Sequence, residues 1–131
     1  MKNYETSAKN ELDKLREMLT EAKIPYEDCY EEHDEVTKKF MREHPDYASS
    51  WGEIGKKWRR NQVVYGGKTA LNRWKWDGIC QWGSYGASDG MIESYGELGE
   101  KDGSPQVVTA EEAFAVIKAH WDKEGAVVCD D

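Results

Sequence analysis

The chain has few of the residues that mark secreted or membrane proteins. It contains three cysteines among 131 residues, Cys29, Cys80 and Cys129. An odd number of widely spaced cysteines favours reduced thiols over a disulfide framework or a Cys-x-x-Cys metal site. No run approaches the roughly 18 consecutive apolar residues that a membrane span requires, and the N-terminal sequence lacks the apolar segment of a signal peptide. These absences predict a cytoplasmic protein with no membrane partner.

Large aliphatic residues and phenylalanine are also scarce, whereas six tryptophans and seven tyrosines are present. We therefore expect an aromatic-rich core, because each of these rings buries a large apolar surface. A length of 131 residues suits one domain that folds without disulfides or a metal. The sequence predicts a single domain over residues 1–131.

The net charge of −8 argues against a general, high-affinity nucleic-acid binder. The charge is unevenly distributed along the chain. Residues 1–50 carry 13 acids and 8 bases (−5), residues 51–75 carry 1 and 7 (+6), and residues 76–131 carry 12 and 3 (−9). An acidic protein therefore contains a basic middle segment.

Two helices can be predicted from periodicity. Leu12, Leu15, Leu19 and Ala22 recur at helical spacing, with Thr6 or Ser7 as a candidate cap, and Pro25 ends this helix near residue 23. An extended segment should follow, over about residues 24–30. Near the other end of the chain, Thr109-Ala-Glu-Glu112 matches a capping box that precedes the apolar stripe Ala113, Phe114, Ile117 and Trp121.

The middle of the chain predicts strands and short helices. Residues 31–60 favour two helical pieces, with a break at Pro45 and a second helix from about Ser50. Residues 61–67 and 71–83 are typical of two strands, joined by a turn at Gly66-Gly67, with the second interrupted near Asp77-Gly78. Residues 88–98 indicate a short helix capped by Ser88 or Asp89, and residues 97–106 a loop.

These elements predict an α+β fold. We expect a small antiparallel sheet of about three strands, packed on one face by the N-terminal and C-terminal helices. Residues of about 31–60 form a helical, partly basic insertion in this prediction.

Three blocks of the sequence form a recognisable set: Leu12 to Glu27, which ends in Ile-Pro-Tyr-Glu; Gly83-Ser-Tyr-Gly86 with Asp89 to Glu93; and Thr109-Ala-Glu-Glu-Ala-Phe114 with His120-Trp121. Together they resemble small uncharacterised proteins carried by prophages and mobile elements of Gram-positive gut bacteria. They cover under half of the chain. The resemblance brings no catalytic residue, and residues 31–75 depart from the pattern by being longer and richer in tryptophan and lysine.

Catalytic and metal-binding motifs are weak in this sequence. Possible metal ligands cluster without a standard zinc or calcium spacing, and a solvated, charged helix start explains them better; they are Cys29, Glu31, Glu32, His33, Asp34 and His44. A thiol could meet a histidine in the pairs Cys29 with His33 or Cys80 with His120, but neither pair belongs to a recognised motif. We therefore expect no metal, no cofactor and no catalytic residues.

Glycines in the turn from Gly83 to Gly90 could present backbone amides to a phosphate. The simpler interpretation is a turn that needs the positive φ of glycine, and a carboxylate at Asp89 opposes an anion.

The most informative pattern interleaves bases with aromatics, as single-stranded nucleic acid or a nucleotide would require: cations for phosphate and rings for stacking. The candidate binding residues are Lys56, Lys57, Trp58, Arg59, Arg60, Arg73, Trp74, Trp76 and Tyr85. Trp51, Lys68 and Lys75 belong to the same segment. Two simpler explanations compete. At least half of the tryptophans are expected in the core, and the bases can pair internally with the acidic first helix and tail.

Three functions follow as expectations. The leading one is a non-enzymatic phage or mobile-element accessory protein that binds a host protein or nucleoprotein complex in the bacterial cytoplasm. It could inhibit a defence system such as CRISPR, with its acidic flanks occupying a surface meant for nucleic acid. Those flanks also have a plain explanation as a solvated surface. The alternative is a small-ligand binder that sequesters a nucleotide or nucleotide signal, and the third is a thiol- or histidine-dependent enzyme that uses Cys80 or His33.

Overall fold

A computed structural model describes residues 10–48, 52–68 and 73–124 of the chain, with the side chains of Ala48 and Lys68 excluded. In chain order the elements are α1 (Glu11–Glu21), β1 (Glu27–Glu32), α2 (Glu35–Glu43), α3 (Pro45–Ala48), α4 (Gly52–Lys57), β2 (Trp58–Lys68), β3 (Trp74–Ile79), a 3-10 helix (Ala87–Asp89), β4 (Ile92–Tyr95), β5 (Glu100–Lys101), β6 (Ser104–Val108) and α5 (Ala110–Glu124). None of the helices in these ranges is both long and apolar enough to cross a membrane.

The predicted α+β class with an antiparallel sheet is confirmed, but the expected size of the sheet is wrong. The described residues form six strands in the order β1-β2-β3-β4-β6-β5, and every neighbouring pair is antiparallel. The three additional strands are β4, which was predicted as a short helix, and β5 and β6, which begin in the predicted loop, whereas β1 overlaps the extended segment expected over about residues 24–30.

Residues 92–95 form a strand instead of the predicted helix, because both of their edges pair. Ser94 lies opposite Gly78 of β3 and Gln106 of β6, so the backbone of β4 is hydrogen-bonded on both sides. Ser88 and Asp89 lie in the short 3-10 helix that precedes β4. Long-range pairing has overridden the local helical preference.

The predicted loop contains a β-hairpin between β5 and β6. Its two turn residues, Asp102 and Gly103, have φ angles of 55° and 81°. Positive φ at both positions is the geometry of a type I′ turn, for which Asp-Gly is a preferred sequence. The sequence therefore carries a hairpin signal, Asp102-Gly103, inside the segment predicted as a loop.

Two glycine predictions are also wrong. Gly66 and Gly67 lie within β2, which continues to Lys68, and the pairing with β3 shifts register between Tyr65 and Lys68. They form an irregularity in the strand and not its end. Strand β3 runs without interruption through Gly78, where a Cβ atom would lie 2.5 Å from the ring of Trp76. The packing of the Trp76 ring therefore requires glycine at position 78.

The core lies between the helices and one face of the sheet. Leu12, Leu15 and Leu19 of α1 are fully buried, as the helical spacing predicts, and they share a cluster with Ala113 and Ile117 of α5. The sheet contributes alternate residues to the same cluster, chiefly Val63, Tyr65, Trp76 and Ile92. Both helices therefore cover the same face of the sheet.

The helix ends follow local chemistry. Asn10 caps α1 by accepting a hydrogen bond from the Asp13 amide, while the predicted caps Thr6 and Ser7 lie outside the described residues. The capping box of α5 is confirmed, because Thr109 and Glu112 exchange side-chain to backbone hydrogen bonds of 2.8 and 3.1 Å.

The predicted helical segment between β1 and β2 contains three short helices. Helix α3 begins at Pro45, where a break was expected, because proline is tolerated in the first turn of a helix. Helix α4 anchors the segment through buried Ile54, whereas α2 contributes no buried residue.

One buried cation joins helix and sheet. Arg16 is only 7% exposed, and its guanidinium donates to Asp13 at 2.8 Å, to Asp28 of β1 at 2.6 Å and to the Asn61 side chain of β2 at 2.8 Å. It also lies 4.5 Å from the centre of the Tyr30 ring. Each of the three guanidinium nitrogens therefore has an acceptor, and one face of the group lies against an aromatic ring.

Replacing Arg16 with alanine is expected to lower the free energy of unfolding by about 2 kcal/mol, because the buried side chain of Asn61 would lose its donor and the partly exposed Asp13 and Asp28 would lose their ion pairs. Urea denaturation monitored by circular dichroism measures this change. An Arg42→Ala variant on α2 is the matched control and should stay within about 0.5 kcal/mol of the parent. Equal unfolding midpoints for the two variants would show that the Arg16 network is not needed for stability.

Candidate functional site

The sheet face opposite the helices carries a groove of about 590 Å³. In the central part of β2 and β3, Gln62, Asp77 and Ile79 alternate with the core residues Val63 and Trp76, since successive side chains of a strand point to opposite faces. Gln62 of β2 lies opposite Ile79 of β3, and Asp77 of β3 lies opposite Tyr95 of β4. The lining residues are Arg59, Arg60, Gln62, Arg73, Trp74, Asp77, Ile79, Gln81 and Tyr95.

Three arginines line this groove, and two of them pair with carboxylates. Arg59 forms an ion pair with Glu31, whose pKa is held below its usual value chiefly by that hydrogen bond. Arg73 pairs with Glu100. Within the described part of the chain, Arg60 instead donates both of its hydrogen bonds to the neutral side chain of Gln62, at 3.2 and 2.8 Å. Arg60 therefore forms no ion pair among these residues, although Glu31, its neighbour on β1, lies close enough to interact with its charge.

Gln62 connects that arginine to a carboxylate. Its amide nitrogen donates to Oδ2 of Asp77 at 2.9 Å, while its oxygen accepts from Arg60. Burial raises the pKa of Asp77 above its usual value, and the bond from Gln62 opposes this shift. The groove thus holds a cation and a desolvated carboxylate in one hydrogen-bonded line.

Two half-buried rings, Trp74 and Tyr95, complete the lining. Burial raises the pKa of Tyr95 to about 12, and a hydrogen bond to Glu93 contributes to the shift. The phenol therefore stays neutral at physiological pH and does not repel an anion.

The structure brings together four of the nine predicted binding residues. Arg59, Arg60, Arg73 and Trp74 all line the groove. The other five do not, for reasons that differ from residue to residue.

Trp76 is only 1% exposed and belongs to the core, and Trp58 packs against the core and against Tyr30. Lys57 lies over the Trp58 ring, 5.1 Å from its centre, and Lys56 pairs with Glu53. Two of the three described tryptophans of the candidate set therefore contact the core, as expected for at least half.

Tyr85 is 75% exposed but lies in the turn after β3, outside the groove. Trp51 lies outside the described residues, as does the side chain of Lys68.

Sequence reasoning missed five lining residues: Gln62, Asp77, Ile79, Gln81 and Tyr95. The two-residue alternation of β2 and β3 could have identified Gln62 and Asp77, since Val63, Trp76 and Gly78 face the core. Tyr95 could not be found in this way, because its strand had been predicted as a helix.

Internal pairing of the basic segment occurs, but with other acids than expected. The partners are Glu31, Glu53, Glu97 and Glu100, which pair with Arg59, Lys56, Lys75 and Arg73 respectively. The acids of the first helix pair locally instead, as Glu11 does with Lys14. Residues 125–131 of the acidic tail lie outside the described residues.

The turn from Gly83 to Gly90 fits its simpler interpretation. Gly83, Gly86 and Gly90 have φ angles of 84°, 85° and 75°, which only glycine adopts readily. The Tyr85 amide donates to a carboxylate oxygen of Glu93 at 2.9 Å. One of the backbone amides that could bind phosphate therefore already donates its hydrogen bond to a carboxylate of the protein.

Thiol and metal chemistry find little support. Among residues 10–48, 52–68 and 73–124, no three His, Cys, Asp or Glu side chains are grouped to hold a metal ion. Burial raises the pKa of Cys80 to about 12, which keeps this thiol protonated. His33 bonds to the Gly55 carbonyl and His120 to the Tyr65 hydroxyl, each at 2.7 Å.

An Asp77→Asn variant is expected to be at least as stable as the parent at about pH 7. A carboxyl group whose pKa is raised on folding binds its proton more tightly in the folded state. The contribution of Asp77 to the stability of the parent therefore falls as the pH rises through the usual range of aspartate, about pH 4, and the variant lacks this one contribution to the pH dependence.

Urea denaturation at about pH 4 and pH 7 measures the difference, with Asp102→Asn as an exposed control. A variant that is less stable than the parent by the same amount at both pH values would contradict desolvation of Asp77.

No protein-family model matches this chain, and no curated protein and no solved structure matches it either. The groove is therefore interpreted from the side chains that line it.

Proposed function

We propose that the protein is a non-enzymatic binding protein that holds a nucleotide in the groove on the open face of its sheet. One observation carries the proposal: an arginine that forms no ion pair within the described residues, two aromatic rings and a carboxylate line a single groove of about 590 Å³. A ligand that matches this lining has an anionic part, a flat ring and hydrogen-bond donors. The groove is broad and open to solvent, so a ligand would lie along the sheet with one side exposed.

The phosphate belongs at the end of the groove where β2 begins. Arg60 and Arg59 lie there, and the planar guanidinium of Arg60 can donate two parallel hydrogen bonds to phosphate oxygens. Its bonds to Gln62 leave the positive charge available, because an amide carries no charge to neutralise it.

The ring of the ligand belongs at the other end, beside Trp74 and Tyr95. Stacking on an aromatic side chain contributes about 1–3 kcal/mol per base. Asp77 lies at the same end and would repel a phosphate, which leaves that end for an uncharged ring with donors. Arg60 and Asp77 are both hydrogen-bonded to the side chain of Gln62, so the phosphate end and the base end of the groove adjoin across that one amide.

Binding without turnover suits these side chains. Among the described residues, the groove lining contains no Ser, Cys, His or Lys, and its one carboxylate accepts a hydrogen bond from Gln62. With the resemblance to prophage and mobile-element proteins, this supports sequestration of a nucleotide or nucleotide signal in the cytoplasm of a bacterial host.

Isothermal titration calorimetry with the four common nucleoside 5′-monophosphates tests the function. At least one should bind, and its nucleoside without phosphate should bind about tenfold or more weakly, because charge-assisted hydrogen bonds are lost. Arg60→Ala should weaken the nucleotide by a similar factor. Arg42→Ala removes the same charge outside the groove and should leave affinity unchanged at about 0.15 M salt.

If none of the four nucleotides gives a measurable heat of binding, the nucleotide-binding function is rejected. Tighter binding of a short single-stranded oligonucleotide than of any mononucleotide would replace it with single-strand binding.

A second function is favoured by a different surface. Helices α2 and α3 present Val36, Phe40 and Tyr47, with Val36 78% and Tyr47 60% exposed, although α2 is strongly amphipathic and buries nothing. Exposed apolar side chains grouped in this way mark protein contact surfaces. They support the other proposal, an accessory protein that binds a host protein or nucleoprotein complex and inhibits a defence system such as CRISPR.

Cleavage assays with purified CRISPR nucleases test this second function directly. The parent should slow target cleavage, and Phe40→Ser should reduce inhibition at least tenfold, as removal of a central aromatic contact does. Val116→Ser changes an exposed apolar residue of α5 and should inhibit as the parent does. Cleavage unaffected by excess parent protein would remove this candidate for the nucleases tested.

A further inference from the structure

The carboxylate of Asp77 has no purpose in a site that recognises only phosphate. It is half-buried beside three arginines, and burial raises its pKa, so its presence weakens the attraction for anions. One of its oxygens accepts a hydrogen bond from Gln62 at 2.9 Å. Each carboxylate oxygen has two acceptor positions, so further acceptor capacity faces the groove.

The orientation of Gln62 is set by its neighbours. Arginine can only donate hydrogen bonds, so the side-chain oxygen of Gln62 must face Arg60 and its NH₂ group must face Asp77. One N–H of that group binds Asp77 and the second has no acceptor within the described part of the chain. The groove wall therefore presents a donor from Gln62 next to acceptors from Asp77.

We propose that Asp77 and Gln62 read the base of the bound nucleotide and select guanine, an inference that rests on the nucleotide-binding function proposed above. The Watson–Crick edge of guanine presents, in order, the O6 acceptor, the N1–H donor and the N2–H₂ donor. Gln62 donates to O6, and the carboxylate of Asp77 accepts from N1–H and N2–H₂. Trp74 and Tyr95 stack on the ring.

The other common bases do not match this pattern. Adenine places a lone pair on N1 against the carboxylate and an amino group against the donor of Gln62. Cytosine has an acceptor at N3, and uracil flanks its one N–H with two carbonyl groups. In each mismatch a buried polar group is left unpaired, or two donors or two acceptors face each other.

Titration of the parent protein with GMP, AMP, CMP and UMP tests the selection. GMP should bind about 10- to 100-fold more tightly than AMP, since one bidentate pair discriminates between bases by that factor. IMP, which lacks the amino group at position 2, should fall between them.

An exchange of preference separates base reading from a merely structural role. In Asp77→Asn the new amide presents one acceptor and one donor, which matches the N1–H and O2 of xanthine. This variant should bind XMP more tightly than GMP, whereas the parent should prefer GMP. Asp102→Asn makes the same change in the β5–β6 turn, where asparagine is equally suited to the type I′ geometry, and should retain the parent's order.

The possible outcomes distinguish the two proposals. If nucleotides bind but GMP, AMP, CMP and UMP have equal affinities, guanine selection is wrong and the binding function stands. If the Asp77→Asn variant has equally weakened affinity for GMP and XMP, Asp77 supports the groove without reading the base, and guanine selection is also wrong. If none of the nucleotides binds, both proposals are rejected together.

Discussion

The contact on which the described fold depends most is that of the Arg16 guanidinium with Asp28 and Asn61. It ties the first helix to two strands, and Asn61 extends the link by donating to the Cys80 carbonyl at the end of β3. A buried charge of this kind is tolerated only when all of its partners are in place. The network therefore specifies how the helix sits on the sheet, beyond what apolar burial alone requires.

The same network positions the groove. Asn61 points toward the helices, so its neighbours Arg60 and Gln62 must point to the opposite face, because side chains alternate along a strand. The backbone N–H of Asn61 also donates a hydrogen bond of 2.8 Å to the side-chain oxygen of Gln81, another lining residue. A slip of one residue in the register of β2 would bury Arg60 and Gln62 and expose Val63. Core formation and groove assembly are thus two consequences of a single register.

How much could be predicted differs between helices and strands. The stripe Leu12, Leu15, Leu19 and the capping box at Thr109 are local patterns, and both predicted helices formed where expected. The strands β4 and β6 depend on partners far away in the chain, and their short segments carry weak local preferences. The tryptophans illustrate the same limit: Trp74 and Trp76 are two residues apart, yet one lines the groove and the other lies in the core.

By itself the sequence determined the acidic character, the basic segment between residues 51 and 75, the two packing helices and the α+β class, because composition and short-range periodicity are properties of neighbouring residues. Only the tertiary structure decided which basic side chains are paired with a carboxylate. Glu31, Glu97 and Glu100 reach Arg59, Lys75 and Arg73 through sheet pairing and chain reversal, whereas Glu53 reaches Lys56 within one helix turn, and Arg60 donates to a neutral side chain. Net charge is additive along a chain, whereas the compensation of a charge depends on what lies within a few ångströms of it.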